Sequence, residues 1–264
     1  MVGAWCFVDH MGPEALSPDR SIDVAPHPHM GLQTVTWLFG GEFLHRDSLG
    51  SEQLIRPGQL NLMTAGLGVA HSEENPGLTS GELHGVQLWV AQRSSDRNGG
   101  AAFEHHAALP RLELPHCTAT VLVGTFQSAT SPAHRDGDLV GIELDFHGGD
   151  TTVALDRTHE HGLVVVSGEV LVEGVAVTPG HLAYLDVGRD ECRMTARGPS
   201  LAVLVGGAPF DERVFMWWNF VARTREEITE AWLAWAAGDE RFGAVASKFS
   251  RVEIAPPPWV LHNN

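Results

Sequence analysis

The amino-acid sequence predicts an all-β protein built from two barrels, with a short helix near the C-terminus. Short β-branched and aromatic runs recur along the chain, and turns containing glycine or proline separate them. A stretch rich in Ser, Thr, Pro, Asp and Gly at residues 127–138 divides these runs into two sets. A helix-capping motif follows the second set. We therefore expect two domains, residues 1–128 and residues 129–264.

In the first set, residues 33–38 and 59–63 are predicted strands, and the many prolines of residues 13–30 predict a loop there. Residues 83–91 form a further predicted strand, in which alternate side chains point to opposite faces. Its apolar face belongs to the core. Gln87 and Trp89 lie on the other face. They either pack against neighbouring side chains or line a pocket.

In the second set, turns separate most of a regular series of short predicted strands, which favours a second all-β barrel or sandwich. These strands are residues 139–146, 151–155, 162–166, 169–172, 181–185 and 201–205.

One helix is predicted, near residues 225–238, and we assign it to the C-terminal domain. Thr224 and Glu227 form a capping box, and Gly238 is the predicted end of the helix. Apolar residues at helical spacing share one face, which we expect to pack against a barrel. They are Ile228, Ala231, Trp232 and Trp235.

Two pairs of potential metal ligands stand out in the N-terminal half. His27 and His29 are two residues apart, and so are His71 and Glu73. Residues two apart in a strand point to the same face, so each pair can aim both of its side chains at one point. Three imidazoles and a carboxylate suit a divalent transition metal, iron included, with positions open for a substrate or dioxygen. The intervening turn at residues 47–50 is predicted to be structural, although His45 could face a cavity.

The second barrel contains a similar histidine pair, His159 and His161, followed by turns in the same order as in the first barrel. A duplicated module would explain this order. No second pair of ligand residues follows Pro179-Gly180 at the spacing found in the first barrel. The C-terminal barrel is therefore predicted to bind no metal.

Several long blocks of this sequence resemble the signature blocks of the pirin family. The blocks are residues 5–13 (WCFVDHMGP), 27–37 (HPHMGLQTVTW), 45–50 (HRDSLG), 63–73 (MTAGLGVAHSE), 83–90 (LHGVQLWV) and 220–228 (FVARTREEI). The resemblance implies two cupin barrels, each a double-stranded β-helix, with iron in the N-terminal barrel. It also implies His27, His29, His71 and Glu73 as the ligands, and Fe(II) as the metal, with another divalent transition metal as the alternative.

The chain departs from the family pattern in two places. Gln33 stands where metal-binding cupins place a glutamate, and we expect it to orient a ligand imidazole by a hydrogen bond. Relative to the family, about one strand is missing ahead of residue 5, so either the true start lies upstream or the barrel closes differently.

Composition narrows the classes of partner. A formal net charge of -16 argues against direct binding of nucleic acid, because phosphate contacts need a basic surface. Three scattered cysteines are typical of free thiols in a reducing compartment. With no signal peptide or membrane-spanning run in the sequence, we expect a cytoplasmic monomer without membrane partners.

Two functional hypotheses follow from the resemblance. In the first, the protein is an iron-dependent dioxygenase that opens a flavonol such as quercetin with dioxygen, with Glu73 as the general base that takes the 3-hydroxyl proton. In the second, it is a non-enzymatic, redox-sensing binding protein that regulates a transcription factor or a metabolic enzyme. Both hypotheses need the same four ligand residues, so the sequence does not separate them.

Overall fold

The structure, a computed structural model, describes residues 1–17 and 22–261. The described residues contain 23 strands and two short helices, which confirms the predicted all-β class. None of these helices combines the length and apolar character needed to cross a membrane. The predicted loop residues Pro18 and Asp19 lie outside the described residues.

The first nine strands are β1 (Trp5–Ala15), β2 (Val24–His29), β3 (Leu32–Gly40), β4 (Phe43–Asp47), β5 (Glu52–Ile55), β6 (Leu60–Thr64), β7 (Val69–Glu74), β8 (Glu82–Ala91) and β9 (Ala102–His106). The next twelve are β10 (Arg111–Leu114), β11 (Cys117–Val123), β12 (Thr125–Phe126), β13 (Ala129–Thr130), β14 (Leu139–Phe146), β15 (Gly149–Ala154), β16 (Glu160–Ser167), β17 (Val170–Val172), β18 (Val175–Val177), β19 (Leu182–Leu185), β20 (Glu191–Ala196) and β21 (Ser200–Gly207). The chain ends with β22 (Phe215–Trp217), β23 (Phe220–Ala222), α1 (Arg225–Ala237) and α2 (Pro258–Leu261).

The chain forms two compact units. Unit A comprises Phe7–Ala107 and Glu212–Asn264, and unit B comprises Met1–Cys6 and Ala108–Asp211. This division differs from the predicted domains 1–128 and 129–264 at both ends of the second domain, and also at Met1–Cys6, which belongs to unit B. β11 pairs with β14 over most of its length, which places the segment before residue 128 in unit B. The C-terminal helix belongs to unit A and not to the second barrel.

Unit A contains a five-stranded sheet of order β1-β8-β3-β6-β9 and a four-stranded sheet of order β2-β7-β4-β5. The predicted loop over residues 13–30 is wrong for residues 13–15, which end β1, and for β2, which is a strand despite Pro26 and Pro28. Proline cannot donate a ladder hydrogen bond, but β2 is an edge strand and pairs only with β7. The edge position therefore explains why a proline-rich segment can be extended.

Unit B has a six-stranded sheet of order β10-β11-β14-β21-β16-β19 and a four-stranded sheet of order β15-β20-β17-β18. A continuous apolar cluster from both sheets fills this unit, with Phe146, Leu163 and Met194 fully buried among its members. The second predicted barrel is thereby confirmed as a packed all-β unit.

Helix α1 forms as its capping motif predicts. The Thr224 side chain accepts a hydrogen bond from the Glu227 amide at 3.2 Å, and Gly238 ends the helix in the left-handed conformation. The buried face of α1 packs in one cluster with Met30, Ala70 and Phe220 of unit A. Beyond the helix, Pro258 begins the short α2.

Candidate metal centre

Three adjacent strands of the four-stranded sheet in unit A bring the predicted ligands together. In the β2–β7 pair, His27 lies directly opposite His71. In the β4–β7 pair, His45 lies opposite Glu73, and Asp47 lies opposite His71. Because residues two apart share a face, the four residues on β4 and β7 point to the same side of the sheet.

His27, His29 and His71 form a cluster that could hold a metal ion. Each offers one ring nitrogen, and these nitrogen atoms all lie within 4.8 Å of one another. All three side chains are buried, and Nε2 of His29 is 3.0 Å from Nε2 of His71. Nδ1 of His29 has no hydrogen-bond partner among the described residues. Convergent, buried imidazole nitrogens are a donor set that suits a divalent transition metal.

Neighbouring groups determine which nitrogen of His27 and His71 faces the cluster. Nδ1 of His27 donates to the Ala25 carbonyl at 2.9 Å, because a carbonyl oxygen can only accept. Nε2 of His45 likewise donates to Asp47 Oδ2 at 3.1 Å, so His45 turns its Nδ1 to Nδ1 of His71, at 3.2 Å. We assign the proton of this contact to Nδ1 of His71, because its Nε2 faces the cluster, 3.0 Å from Nε2 of His29. His27 and His71 therefore both turn an Nε2 lone pair toward the cluster.

The turn after β4 holds Asp47 in place for this role. Its Oδ1 accepts hydrogen bonds from the amides of Leu49 and Ser51, each at 2.9 Å. Burial raises the pKa of Asp47, but the hydrogen bonds from His45 and Ser51 outweigh it and lower the pKa overall. Asp47 therefore stays ionised, and the turn that the sequence predicted to be structural also supports the metal centre through His45.

Burial keeps the three clustered imidazoles neutral. It lowers the pKa of His27 to about 4, against an opposing hydrogen bond to Ala25. Burial, together with the neighbouring histidines, holds the pKa values of His29 and His71 well below the usual range. The neutral form is the one that binds a metal, so the site is prepared for a cation at neutral pH.

Glu73 lies at the same site, but its contact in the structure is a different one. Its Oε1 accepts a hydrogen bond from the Gln87 amide at 3.0 Å, and it is not part of the three-histidine group. Burial raises the pKa of Glu73 to about 7, partly offset by the Gln87 hydrogen bond and reinforced by Asp9. Its role as a fourth ligand stays a prediction. So does the role of Gln33, whose side-chain amide donates to Thr64 Oγ1 at 2.9 Å.

Aromatic side chains surround the cluster. The ring of Trp89 meets that of His29 edge-on at 5.4 Å between centroids and stacks with Phe7 at 4.1 Å. Trp218, at the tip of the β22–β23 hairpin, meets the His27 ring at 6.4 Å and keeps 37% of its surface exposed. Gln87 and Trp89 are both buried and contact Glu73 and His29, and the lining of a pocket by them stays a prediction.

Sequence reasoning missed Asp47 and Trp218. The pair His45 and Asp47 has the same i, i+2 spacing as the other two pairs, so the signal for Asp47 was present. Trp218 carried no such signal, because it is distant in sequence. Gly31 lets the hairpin approach: its φ is +71°, and a Cβ there would collide with the Val221 carbonyl oxygen.

Comparisons with known proteins agree with this arrangement. Residues 1–90 match the family description Pirin, and residues 140–243 match the Pirin C-terminal cupin domain. A Pseudomonas aeruginosa protein named after quercetin 2,3-dioxygenase is 44% identical over 263 residues, which cover 99% of this chain and 83% of that protein. A pirin-like protein of Caulobacter vibrioides is 36% identical over 245 residues, with 90% and 84% covered.

A solved structure gives the same result in three dimensions. The crystal structure of quercetin 2,3-dioxygenase from Acinetobacter baumannii is similar with a TM-score of 0.94 and 41% sequence identity. The match covers 98% of this chain and 87% of that one. Together, the matched blocks, the two cupin barrels and these relatives show that the chain belongs to the pirin family.

Proposed function

We propose that this protein is a metal-dependent dioxygenase that opens the ring of a flavonol with dioxygen. One observation carries the proposal: three buried, neutral imidazoles converge beside a carboxyl group, that of Glu73, whose pKa of about 7 suits a general base. The bacterial relatives named after quercetin 2,3-dioxygenase support the same activity.

The proposed metal ligands are His27, His29 and His71, with Glu73 as the fourth. We propose Fe(II) because imidazole ligands suit iron and the reaction uses dioxygen, and another divalent transition metal is compatible with the same donors. A divalent metal held there supplies Lewis acidity, which lowers the pKa of a substrate hydroxyl group beside it.

Glu73 is proposed to take the proton of the flavonol 3-hydroxyl group. A base is most effective when its pKa lies near the working pH, and the pKa of Glu73 is about 7. Gln87 holds one oxygen of this carboxylate, and the Thr36 hydroxyl in turn donates to the Gln87 side-chain oxygen. This chain of hydrogen bonds fixes the carboxylate and leaves Oε2, which would hold the metal or, once released from it, take the proton.

The aromatic residues around the cluster suit a flat, polyphenolic substrate. Trp218 is partly exposed beside His27, and the stacked rings of Phe7 and Trp89 lie beside His29. Aromatic rings favour offset-stacked or edge-to-face partners, so a flavonol ring system matches these surfaces.

The test is to load the protein with iron under anaerobic conditions and to measure dioxygen uptake across a panel of phenols. We expect uptake with quercetin, together with release of carbon monoxide, and none with a flavone that lacks the 3-hydroxyl group. The His71→Ala protein is the control for metal-independent oxidation. Absence of uptake with every flavonol would contradict the proposal and leave the metal-dependent binding protein as the better interpretation.

A further inference from the structure

Unit B contains a cavity of about 330 Å³ that is separate from the three-histidine cluster. It opens among strands β14, β16 and β21, and its lining includes His159 and His161. Both histidines are buried, with 5% and 1% of their surfaces exposed. A volume of this size is at the lower end of the range for small-molecule sites, roughly 300–1,000 Å³.

The two histidines present unused hydrogen-bonding groups to this cavity. Among the described residues, neither ring nitrogen of His159 and not Nδ1 of His161 has a hydrogen-bond partner. Nε2 of His159 lies 3.2 Å from Asp138 Oδ2, but without hydrogen-bond geometry, and that carboxylate is largely exposed. Buried polar atoms without partners are costly, so a site with three of them indicates an occupant.

The backbone makes room for this arrangement. A Cβ atom on Gly206 would lie 2.6 Å from Cδ2 of His161 and 3.2 Å from a methyl group of Val140. A side chain at position 206 would therefore displace the imidazole that lines the cavity. One part of the wall is apolar, with Phe126, Ile142 and Leu204 all buried.

The charges at the cavity argue against an ionic ligand. Burial lowers the pKa of His161 to about 4, and His159 adds to that shift, so the imidazole is neutral at pH 7. Arg135 donates to the Leu139 carbonyl at 3.0 Å and lies 3.5 Å from Asp138. Asp156 already accepts from the amide and hydroxyl of Thr158. Each charged group therefore has a partner within the protein.

The potential metal ligands at the cavity do not form a convergent group of three like that of unit A. In the part of the chain that the structure describes, the only group of three potential metal ligands is the one in unit A. A neutral imidazole offers one N–H donor and one acceptor nitrogen. A hydroxyl group can bond to either nitrogen, because it both donates and accepts hydrogen bonds. Apolar residues beside the two imidazoles suit the ring of a hydroxylated ring compound.

We propose that the cavity of unit B binds a small, neutral, hydroxylated ring compound of the phenol type, with its hydroxyl groups on His159 and His161. The apolar wall formed by Phe126, Ile142 and Leu204 contacts the ring. This site is independent of the dioxygenase centre, and its occupant need not be that centre's substrate.

The test uses the whole metal-loaded protein and resorcinol, whose two hydroxyl groups are too far apart to chelate one metal ion. Titration calorimetry should find about one site per chain with a Kd of about 1 mM or tighter. Toluene, which lacks hydroxyl groups, and the benzoate anion should bind more weakly. The His27→Ala protein should bind resorcinol with unchanged affinity, which separates this site from the metal centre.

Two variants test whether resorcinol binds in this cavity. Replacing His159 and His161 together by leucine removes two hydrogen bonds at similar volume and should weaken resorcinol binding by about tenfold or more. Leu155→Phe keeps both imidazoles but fills space at the cavity wall, and should also weaken binding. His134→Leu, at an exposed histidine, is the matched control and should change nothing.

The proposal is overturned by any of three results. They are no saturable resorcinol binding to the parent protein, tighter binding of benzoate than of resorcinol, and loss of one equivalent of metal in the double leucine variant. The last result would identify a second metal site. If the double variant fails to fold, Leu155→Phe decides the question: undiminished resorcinol binding by a folded Leu155→Phe protein would contradict the proposal.

Discussion

At the scale of single residues, the metal centre depends on where each imidazole proton is held. The Ala25 carbonyl holds the Nδ1 proton of His27, and the Asp47–His45 pair holds the Nδ1 proton of His71. The rings of His27 and His71 are therefore oriented before any metal binds. Preorganised ligands of this kind lose little entropy on binding, which favours affinity.

The first prediction concerns the ligands themselves. His27→Ala and His71→Ala should each reduce the bound metal well below one equivalent per chain, because each removes one of three convergent nitrogen donors. Metal analysis of the purified proteins measures this. His134→Ala, which alters an exposed histidine in unit B, is the matched control. Undiminished metal in both ligand variants would rule out this cluster as the binding site.

The second prediction separates the two roles proposed for Glu73. Glu73→Gln keeps an oxygen donor beside Gln87 but removes the basic group. Flavonol turnover per bound metal should fall by ~10²-fold or more, the usual contribution of a positioned base, while part of the metal is retained. The rate must be divided by the metal content of each sample. A rate per bound metal equal to that of the parent would show that Glu73 is not the base.

At the scale of elements, strand β4 supports the site although it carries none of the three clustered histidines. Its neighbour β7 lies between β4 and β2, so a side chain on β4 reaches the metal cluster through His71. Helix α1 supports the site through packing. It contacts Met30 and Ala70, each of which is adjacent in sequence to a clustered histidine. The C-terminal segment therefore stabilises the strands that carry the ligands.

The third prediction follows from the role of β4. Asp47→Asn keeps an oxygen for the amides of Leu49 and Ser51 but loses the charge that holds the His45 proton. Metal affinity should fall by about 10–100-fold, with little change in melting temperature. Competition with a chromophoric chelator measures the affinity. Asp186→Asn, at an exposed turn carboxylate in unit B, is the control; equal affinity in both variants would contradict the role of Asp47.

At the scale of the whole molecule, the buried histidines make stability depend on pH. The folded-state pKa values of His27 and His161 are about 4, below the unfolded value of about 6.5. Between these pH values the unfolded chain binds more protons, so acidification favours unfolding. Glu73 acts in the opposite sense, because its folded pKa of about 7 lies above the unfolded value. His29 and His71 add to the effect of the other histidines.

The fourth prediction is that the metal-free protein loses stability as the pH falls from 6.5 toward 4. Four buried histidines outweigh one glutamate, so the melting temperature should decrease throughout this window. Calorimetry at several pH values checks it, and the His161→Leu protein should show a smaller decrease. A melting temperature that stays constant or rises below pH 6.5 would contradict the assigned shifts.

In the metal-bound protein, protons compete with the metal for the imidazole nitrogens. Because burial lowers the pKa of these imidazoles, the metal should be displaced only below the usual pH range of histidine titration.

Local sequence rules determined much of this protein. Alternation and turn residues predicted the all-β class, the capping box placed α1, and the i, i+2 spacing identified His27, His29 and His71. These features depend on a residue and its near neighbours in the chain. The histidine pairs could be recognised for the same reason. Within any single strand, side chains two residues apart point to the same face, whatever the strand pairs with.

Only the tertiary structure decided the features that depend on pairing between distant segments. The register of β4 against β7 brought Asp47 and His45 behind His71, and the β22–β23 hairpin brought Trp218 to the same site. Packing against Met30 assigned α1 to unit A, although the sequence placed it with the second barrel. Strand pairing and burial join residues that are far apart in the chain, and no local pattern specifies their partners. The charge states of the buried histidines follow from the same burial.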